Sequence, residues 1–289
     1  MREEAILWEE RPHLKDPLLI AGFDGWGNAL GISTAMVSYL IRKMKGRSFA
    51  KINPEPFYRY DEHRPVVRIE DGVLKRLTPP GGSFYVVQGG SVAARDLIVL
   101  KANEPDLCWS HFVQALAGLC KELGIGSIIT IGGMYDNVLH SDRIISSIVS
   151  DKEIFAEFTE KGVHPISYEG PGSIHSTLHS EAQKQGLKCI SLWCHCPYYL
   201  EGSTHFGLLY HLGGLLSSLV GFEIDMGEMG AKWKQLNKQI EGLIENNPEL
   251  DAMITELRKA KVRGSWANLK KTLNEDRKVV HLKDFFRTR

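Results

Sequence analysis

The sequence predicts an α/β protein, with a mostly parallel mixed sheet covered by helices on both faces and a C-terminal helical extension. Three observations carry this reading. Short apolar runs bounded by turn residues alternate with longer amphipathic stretches. The connections between successive apolar runs are long enough to hold a crossover helix of about a dozen residues, as parallel strands require. After Gly221 the composition shifts to residues of high helix propensity.

Leu18-Leu19-Ile20-Ala21-Gly22-Phe23 lies between Pro17 and a Gly-rich turn and reads as a buried strand. Leu30, Met36, Val37, Leu40 and Ile41 recur mostly at three and four, which predicts a helix. Arg47 to Val87 differs in kind. Its prolines and glycines break helical periodicity, while Val66-Val67-Arg68-Ile69 and Val73-Leu74-Lys75-Arg76-Leu77 flank Glu70-Asp71-Gly72. That is a hairpin signature, and it predicts an antiparallel edge on the parallel core. Asp96 to Leu100 is a second buried strand, followed by a helix over Leu107 to Leu123 with Phe112, Ala115, Leu116 and Leu119 on one face. Ser127 to Ile131 is a strand ending at Gly132-Gly133. Leu187 to Trp193 is another, leading to an apolar helix over Phe206 to Val220.

Phe206 to Phe222 carries no formal charge, but its 17 residues include His211, Ser217, Ser218 and four glycines. A membrane span wants about 20 mostly apolar residues, so the expectation is a buried or interfacial helix. Met229 to Asn246 and Pro248 to about Lys261 form a predicted helical hairpin. Asn247 caps the second helix and Pro248 takes its first position. Ile240, Leu243 and Ile244 can meet Leu250, Met253, Ile254 and Leu257 in an apolar seam. The expected division is an α/β domain over 1–225 and a helical hairpin with basic tail over 226–289.

Composition excludes several classes. The chain has 289 residues with 43% hydrophobic and 24% charged, so it is neither disordered nor fibrous. Its 35 basic and 35 acidic side chains cancel, yet residues 1–225 carry 21 basic and 26 acidic residues while 226–289 carry 14 and 9. Arg258 to Arg289 holds 11 basic and 3 acidic residues. This basic segment reads as a solvated helical face with a ragged tail, or as a docking arm for an acidic partner or nucleic acid. No nucleic-acid motif accompanies it, so nucleic acid is not the expected partner. Five cysteines, two of them in Cys194-His195-Cys196, do not make a secreted disulfide framework. The charged start Met1-Arg2-Glu3-Glu4 lacks a signal-peptide core, and the expected location is cytoplasmic.

The turn after the first strand, Gly22-Phe23-Asp24-Gly25-Trp26-Gly27-Asn28-Ala29-Leu30-Gly31, opens a helix at a position where α/β sheets bind anions. Its glycine spacing is not the dinucleotide fingerprint. The alternative is a sharp turn in which Asp24 or Asn28 caps the helix. His175 and His179, four apart in a predicted helix, lack the Glu of a zinc metalloprotease and fit a capped surface or interface helix. Strand alternation sends Cys194 and Cys196 to one side and His195 to the other, and buried cysteine is the preferred reading. No metal site and no cofactor are expected. There is no G-x-S-x-G nucleophile elbow. His140, followed by Arg143, lies just beyond the Gly132-Gly133 strand end and could hold an anionic group, cap a helix or bridge subunits.

Six runs together resemble the proteasome assembly chaperone 2 family. They are Gly22 to Ala29, Tyr60-Asp61-Glu62-His63-Arg64-Pro65, Glu104-Pro105-Asp106-Leu107-Cys108-Trp109-Ser110-His111-Phe112, Gly132-Gly133-Met134 with His140 and Arg143, Tyr168-Glu169-Gly170-Pro171-Gly172, and Cys196-Pro197-Tyr198-Tyr199. The resemblance spans about residues 15 to 260. It implies a three-layer, phosphorylase/hydrolase-like fold with a C-terminal helical extension, and homo-oligomers or pairs of related subunits. Characterised members resemble chaperones that dock on proteasome α-subunits. Two features depart from the family. The last residues, Phe286-Arg287-Thr288-Arg289, are not the hydrophobic-Tyr-x tail of archaeal chaperone members, and Leu139 stands where a Pro often precedes the His.

The expected function is therefore that of a non-catalytic, oligomeric chaperone or assembly factor. Its partners would be further copies of itself, with Gly213, Gly214, Ser217 and Ser218 allowing close helix approach, and proteasome-related subunits or another protein. The alternative is an enzyme or small-ligand binder for a nucleoside or anion. Its pocket would lie at the strand C-termini and use Asp24, Trp26, Asn28, Glu104, His140 and Arg143.

Overall fold

The computed structural model describes residues 4–88, 95–151, 155, 158–221 and 223–262. The basic segment beyond Val262 lies outside them. The strands are β1 (Ile6–Trp8), β2 (Leu18–Asp24), β3 (Arg47–Ile52), β4 (Val66–Glu70), β5 (Val73–Thr78), β6 (Gly82–Val87), β7 (Leu97–Asn103), β8 (Ser127–Asp136), β9 (Ile145–Val149), β10 (Val163–Pro165) and β11 (Lys188–Pro197). The α-helices are α1 (Ile32–Lys43), α2 (Trp109–Glu122), α3 (Ile174–Lys184), α4 (Phe206–Val220), α5 (Gly227–Glu245) and α6 (Pro248–Val262).

Nine strands form one sheet in the order β1-β3-β6-β7-β2-β8-β11-β9-β10. The central four, β7, β2, β8 and β11, are mutually parallel. β6, β3 and β1 add antiparallel to one side, and β9 adds antiparallel to the other. Alternation along β2 builds both cores. Leu18 and Ile20 enter a cluster with α1, α4, α5 and α6, while Leu19, Ala21 and Phe23 enter another with α2 and α3. The result is the expected three-layer α/β arrangement. Ile240, Ile244, Leu250, Ile254 and Leu257 belong to the first of these clusters, so α5 and α6 share a core with the sheet. Asn247 Oδ1 accepts the N–H groups of Glu249 and Leu250, which caps α6 ahead of Pro248 as expected.

Two expectations are corrected. The antiparallel edge is made by β1, β3 and β6, whereas β4 and β5 pair only with each other in a separate two-stranded sheet. The strand before Gly132-Gly133 does not stop there, because β8 runs on to Asp136. The glycines let it pass under its neighbours. A Cβ on Gly132 would sit 2.7 Å from the Trp193 ring, and one on Gly133 would sit 2.8 Å from the Ala29 carbonyl. Likewise β11 continues through Cys194-His195-Cys196 to Pro197.

Three of the four small residues singled out on α4 are engaged within the chain, while nothing lies within 4 Å of a Cβ on Gly214. Gly213 is approached by Met226, Ser217 Oγ accepts the Ile224 N–H, and Ser218 Oγ donates to the Leu215 carbonyl. Among the described residues no helix is long and apolar enough to cross a membrane.

Candidate functional site

The turn after β2 is held by side chains. Asn28 Oδ1 accepts the N–H groups of Ser33 and Thr34 at 2.9 and 3.3 Å, satisfying the first turn of α1, while its Nδ2 donates to Asp24 Oδ1 at 2.9 Å. This is the capping alternative for Asp24 and Asn28. The turn is stitched to β8 by the Gly133 N–H donating to the Gly27 carbonyl at 2.8 Å.

Glu104 clamps the other side. Its Oε2 accepts the Trp26 N–H at 2.9 Å, and its Oε1 accepts the Ile174 N–H at 2.8 Å, at the positive end of α3. Gly25 has φ of +154°, and a Cβ there would lie 2.5 Å from Glu104 Oε2, so this turn has no room for a side chain. Trp26 itself stands 62% exposed above the turn.

The rest of the Glu-Pro-Asp-x-x-Trp run is a knot of the same kind. Trp109 Nε1 donates to the Pro105 carbonyl at 2.6 Å. Asp106 Oδ2 accepts the Arg59 N–H at 2.8 Å and meets His63 Nδ1 at 3.0 Å. Two of the six recognised runs thus meet at the foot of β4. The returning leg is fixed by Asn103, whose N–H donates to the Gly81 carbonyl at 2.7 Å and whose Oδ1 accepts the Gly81 N–H at 3.1 Å. Between these anchors every residue of β4 and β5 is exposed. Val66, Val67, Ile69, Val73, Leu74 and Leu77 are each at least 52% exposed, from Val67 at 52% to Val66 at 70%. Arg68 faces Arg76 across the pair, with Lys75 beside it at a bulge.

His140 lies in a different setting. It is 5% exposed, its backbone N–H donates to the Tyr199 hydroxyl at 2.6 Å, and Tyr199 in turn meets His140 Nδ1 at 2.8 Å. Burial, with Arg258 nearby, holds its pKa below the ordinary histidine value. Arg143 is exposed and adds positive potential at His205 and His211, on the α4 side. Among the described residues no hydrogen bond or ion pair joins His140 and Arg143 to Asp24, Trp26, Asn28 and Glu104. A cleft of about 590 Å³ does open beside α4, between Lys161, Tyr210, His211, Glu223, Asp225 and Met226. None of the six candidates lines it.

The helix of His175 and His179, expected at a surface or interface, instead packs on β8 and β11 with both histidines buried, because Ile174, Leu178 and Ala182 enter the core there. His175 is 1% exposed and packs edge-on to Phe23 and Trp193, and neither ring nitrogen has a partner. Burial holds it neutral, with its pKa pushed down to about 4. His179, one turn on, meets Ser191 Oγ at a long 3.4 Å. Cys194 and Cys196 point into the opposite core, as alternation predicted. His195 points the other way, with Nδ1 2.8 Å from Asp136 Oδ2 and Nε2 2.9 Å from Ser146 Oγ. Asp136 and Ser146 are separated from His195 by 59 and 49 positions, so only strand register could have revealed the group. Among the described residues no group of three or more His, Cys, Asp or Glu side chains is placed to hold a metal ion.

The sequence model of the PAC2 family matches residues 19–244. No curated protein matches the chain. Among solved structures, a PAC2 family protein from Streptomyces avermitilis is 26% identical with a TM-score of 0.75, over 83% of this chain and 100% of that one. A Mycobacterium tuberculosis proteasome-assembly chaperone homologue is 21% identical with a TM-score of 0.75, over 82% and 99%. An archaeal proteasome activator from Pyrococcus furiosus is 21% identical with a TM-score of 0.66, over 84% and 99%. The chain belongs to the PAC2 family.

Proposed function

We propose that this PAC2 family chain is a chaperone-like assembly factor that works as an oligomer through protein contacts, with proteasome-related subunits as candidate partners. Two of its structural relatives are named as a proteasome-assembly chaperone homologue and a proteasome activator. The observation that carries the reading in this chain is the β4–β5 arm. A two-stranded ribbon is marginal alone in water, and it normally hides its apolar side chains against a third element. Here six large aliphatic side chains point to solvent from a ribbon whose two feet are pinned by Asp106 and Asn103. Pinned feet and bare faces suit a surface that another protein covers. Arg68 is ion-paired with Glu70 on the ribbon, and Arg76 with Lys75 beside it adds a preference for acidic groups on that partner.

The test is light scattering on the whole chain together with binding to purified proteasome α-subunits. Ile69 and Leu74 face each other across the ribbon, so replacing both with Lys strips apolar contact without touching either core. The expected result is a mass that is a multiple of 32.5 kDa for the unaltered chain, loss of oligomer or of α-subunit binding in the double variant, and an unchanged Tm. A 32.5 kDa species at micromolar concentration that binds no α-subunit would overturn the reading.

A further inference from the structure

Ser146, His195 and Asp136 stand in the hydrogen-bonded order of a nucleophile, a base and an orienting carboxylate. We propose that they form an acyl-transfer site that hydrolyses small carboxylic esters. This activity is independent of the contact surface on β4 and β5, with which it shares no residue. The three come from adjacent strand ends. Register pairs Ser146 with Trp193, Met134 with His195 and Asp136 with Pro197, which places all three side chains on one face of the sheet. The group lies at the carboxyl ends of the parallel strands β8 and β11, where open α/β sheets bind ligands.

The hydrogen-bond roles follow from chemistry. An ionised carboxylate only accepts, so Nδ1 of His195 carries the proton donated to Asp136 Oδ2 at 2.8 Å. Nε2 is then left with its lone pair facing Ser146 Oγ at 2.9 Å, and the serine O–H donates to it. The carboxylate is itself held, because Asp136 Oδ1 accepts the Asn137 N–H at 2.8 Å. The His195 backbone is fixed by its N–H donating to the Ile144 carbonyl at 3.1 Å. Such a constellation is recognised by geometry, not by chain order, so the missing G-x-S-x-G elbow does not weigh against it.

In the acylation step Ser146 Oγ bonds to the ester carbonyl carbon as its proton passes to His195 Nε2. Collapse of the tetrahedral adduct breaks the bond to the alcohol oxygen, which departs with that proton. Water then adds to the acyl-serine, giving a proton to Nε2, and the carboxylic acid leaves as that proton returns to Oγ. No electron transfer is involved. Asp136 acts as a positioning residue throughout. Ser146 is 2% exposed while the side chains of His195 and Asp136 are 14% and 29% exposed, so approach is from the carboxylate end and the acyl group must be small.

The experiment treats the full chain with a fluorophosphonate probe and, separately, with p-nitrophenyl acetate across a range of pH. Expected are covalent labelling on Ser146, mapped within the peptide Ile144 to Lys152 apart from Ser147 and Ser150, and ester turnover that Ser146→Ala abolishes. Asp136→Asn is expected to slow labelling by about 10²- to 10⁴-fold and to alter its pH profile, which loss of a merely structural contact would not do. Absence of label, label on another serine, or turnover retained in Ser146→Ala would overturn the proposal. Mapping on the unaltered chain decides the question even where a variant fails to fold.

Discussion

Glu104 Oε1 accepts the N–H of Ile174 at 2.8 Å, across 70 positions of sequence, and so fastens the start of α3 to the end of β7. The other carboxylate oxygen holds Trp26, which makes Glu104 the link between the turn after β2 and the start of α3. Hydrogen bonds to a charged group contribute about 1.5–3 kcal/mol, and one of these two is part-buried. Glu104→Ala should therefore lower unfolding free energy by about 2–3 kcal/mol in urea denaturation. Glu104→Gln should lie between it and the unaltered chain, because the amide can accept only one of the two N–H groups. A change below about 0.5 kcal/mol for Ala would show that the clamp is dispensable.

Gly132→Ala should destabilise the chain by about 1–3 kcal/mol, the usual range for overpacking. Its new methyl would strike the Trp193 ring, which is 6% exposed and packed against the His175 ring. Gly118→Ala in α2 should act in the opposite direction. Nothing lies within 4 Å of a Cβ there, and alanine in place of glycine favours a helix by about 0.5–1 kcal/mol. Thermal unfolding of both variants checks the pair. Equal effects would mean that space around the backbone does not govern these sites.

These glycines also show where the linear sequence misleads. Local periodicity was enough for β2, α1, α2, α4 and the α5–α6 seam, because each buries one face and writes that face into its spacing. Gly132-Gly133 was expected to end a strand, since glycine weakens strands. In fact β8 needs glycine where Trp193 and Ala29 cross it. The hairpin of β4 and β5 was legible from Glu70-Asp71-Gly72, but its isolation from the main sheet depends on which strand occupies the edge. Of the six proposed pocket residues, Asp24, Trp26, Asn28 and Glu104 are brought together by one hydrogen-bonded turn, and three of them spend side-chain groups on holding it. His140 and Arg143 sit elsewhere, because the segment after β8 turns toward Tyr199. Ser146, His195 and Asp136 have no local signal at all.

Tyr199→Phe should destabilise the chain by about 1–3 kcal/mol. The hydroxyl is the partner of both the backbone N–H and the ring of His140, and Phe leaves a buried donor unpaired. His140→Ala in the Tyr199→Phe background should add less than it does alone, because the two residues share these bonds. A double-mutant cycle by urea denaturation measures the difference. Strict additivity would show that the pair acts independently.

Stability should fall as pH drops from about 6.5 toward 4, and two buried histidines set the direction. Burial pushes the pKa of His175 down to about 4 and that of His205 down to about 3, each from 6.5. Above 6.5 both are neutral folded and unfolded, so their full contribution is present. Between 6.5 and about 4 the unfolded chain takes up protons that the folded chain refuses. Each group then lowers stability by up to about 1.4 kcal/mol per pH unit, until the folded pKa is reached and the slope vanishes. His175 allows the assignment to be tested singly. Its ring lies edge-on to Phe23 and Trp193 and makes no hydrogen bond, so Phe can occupy the same space without a titrating group. His175→Phe should hold stability at pH 7 to within about 1 kcal/mol and remove one proton's worth of slope between pH 6.5 and 4. Urea denaturation at pH 7, 6 and 5 reads this directly. An unchanged slope in the variant would mean that His175 gains its proton without unfolding.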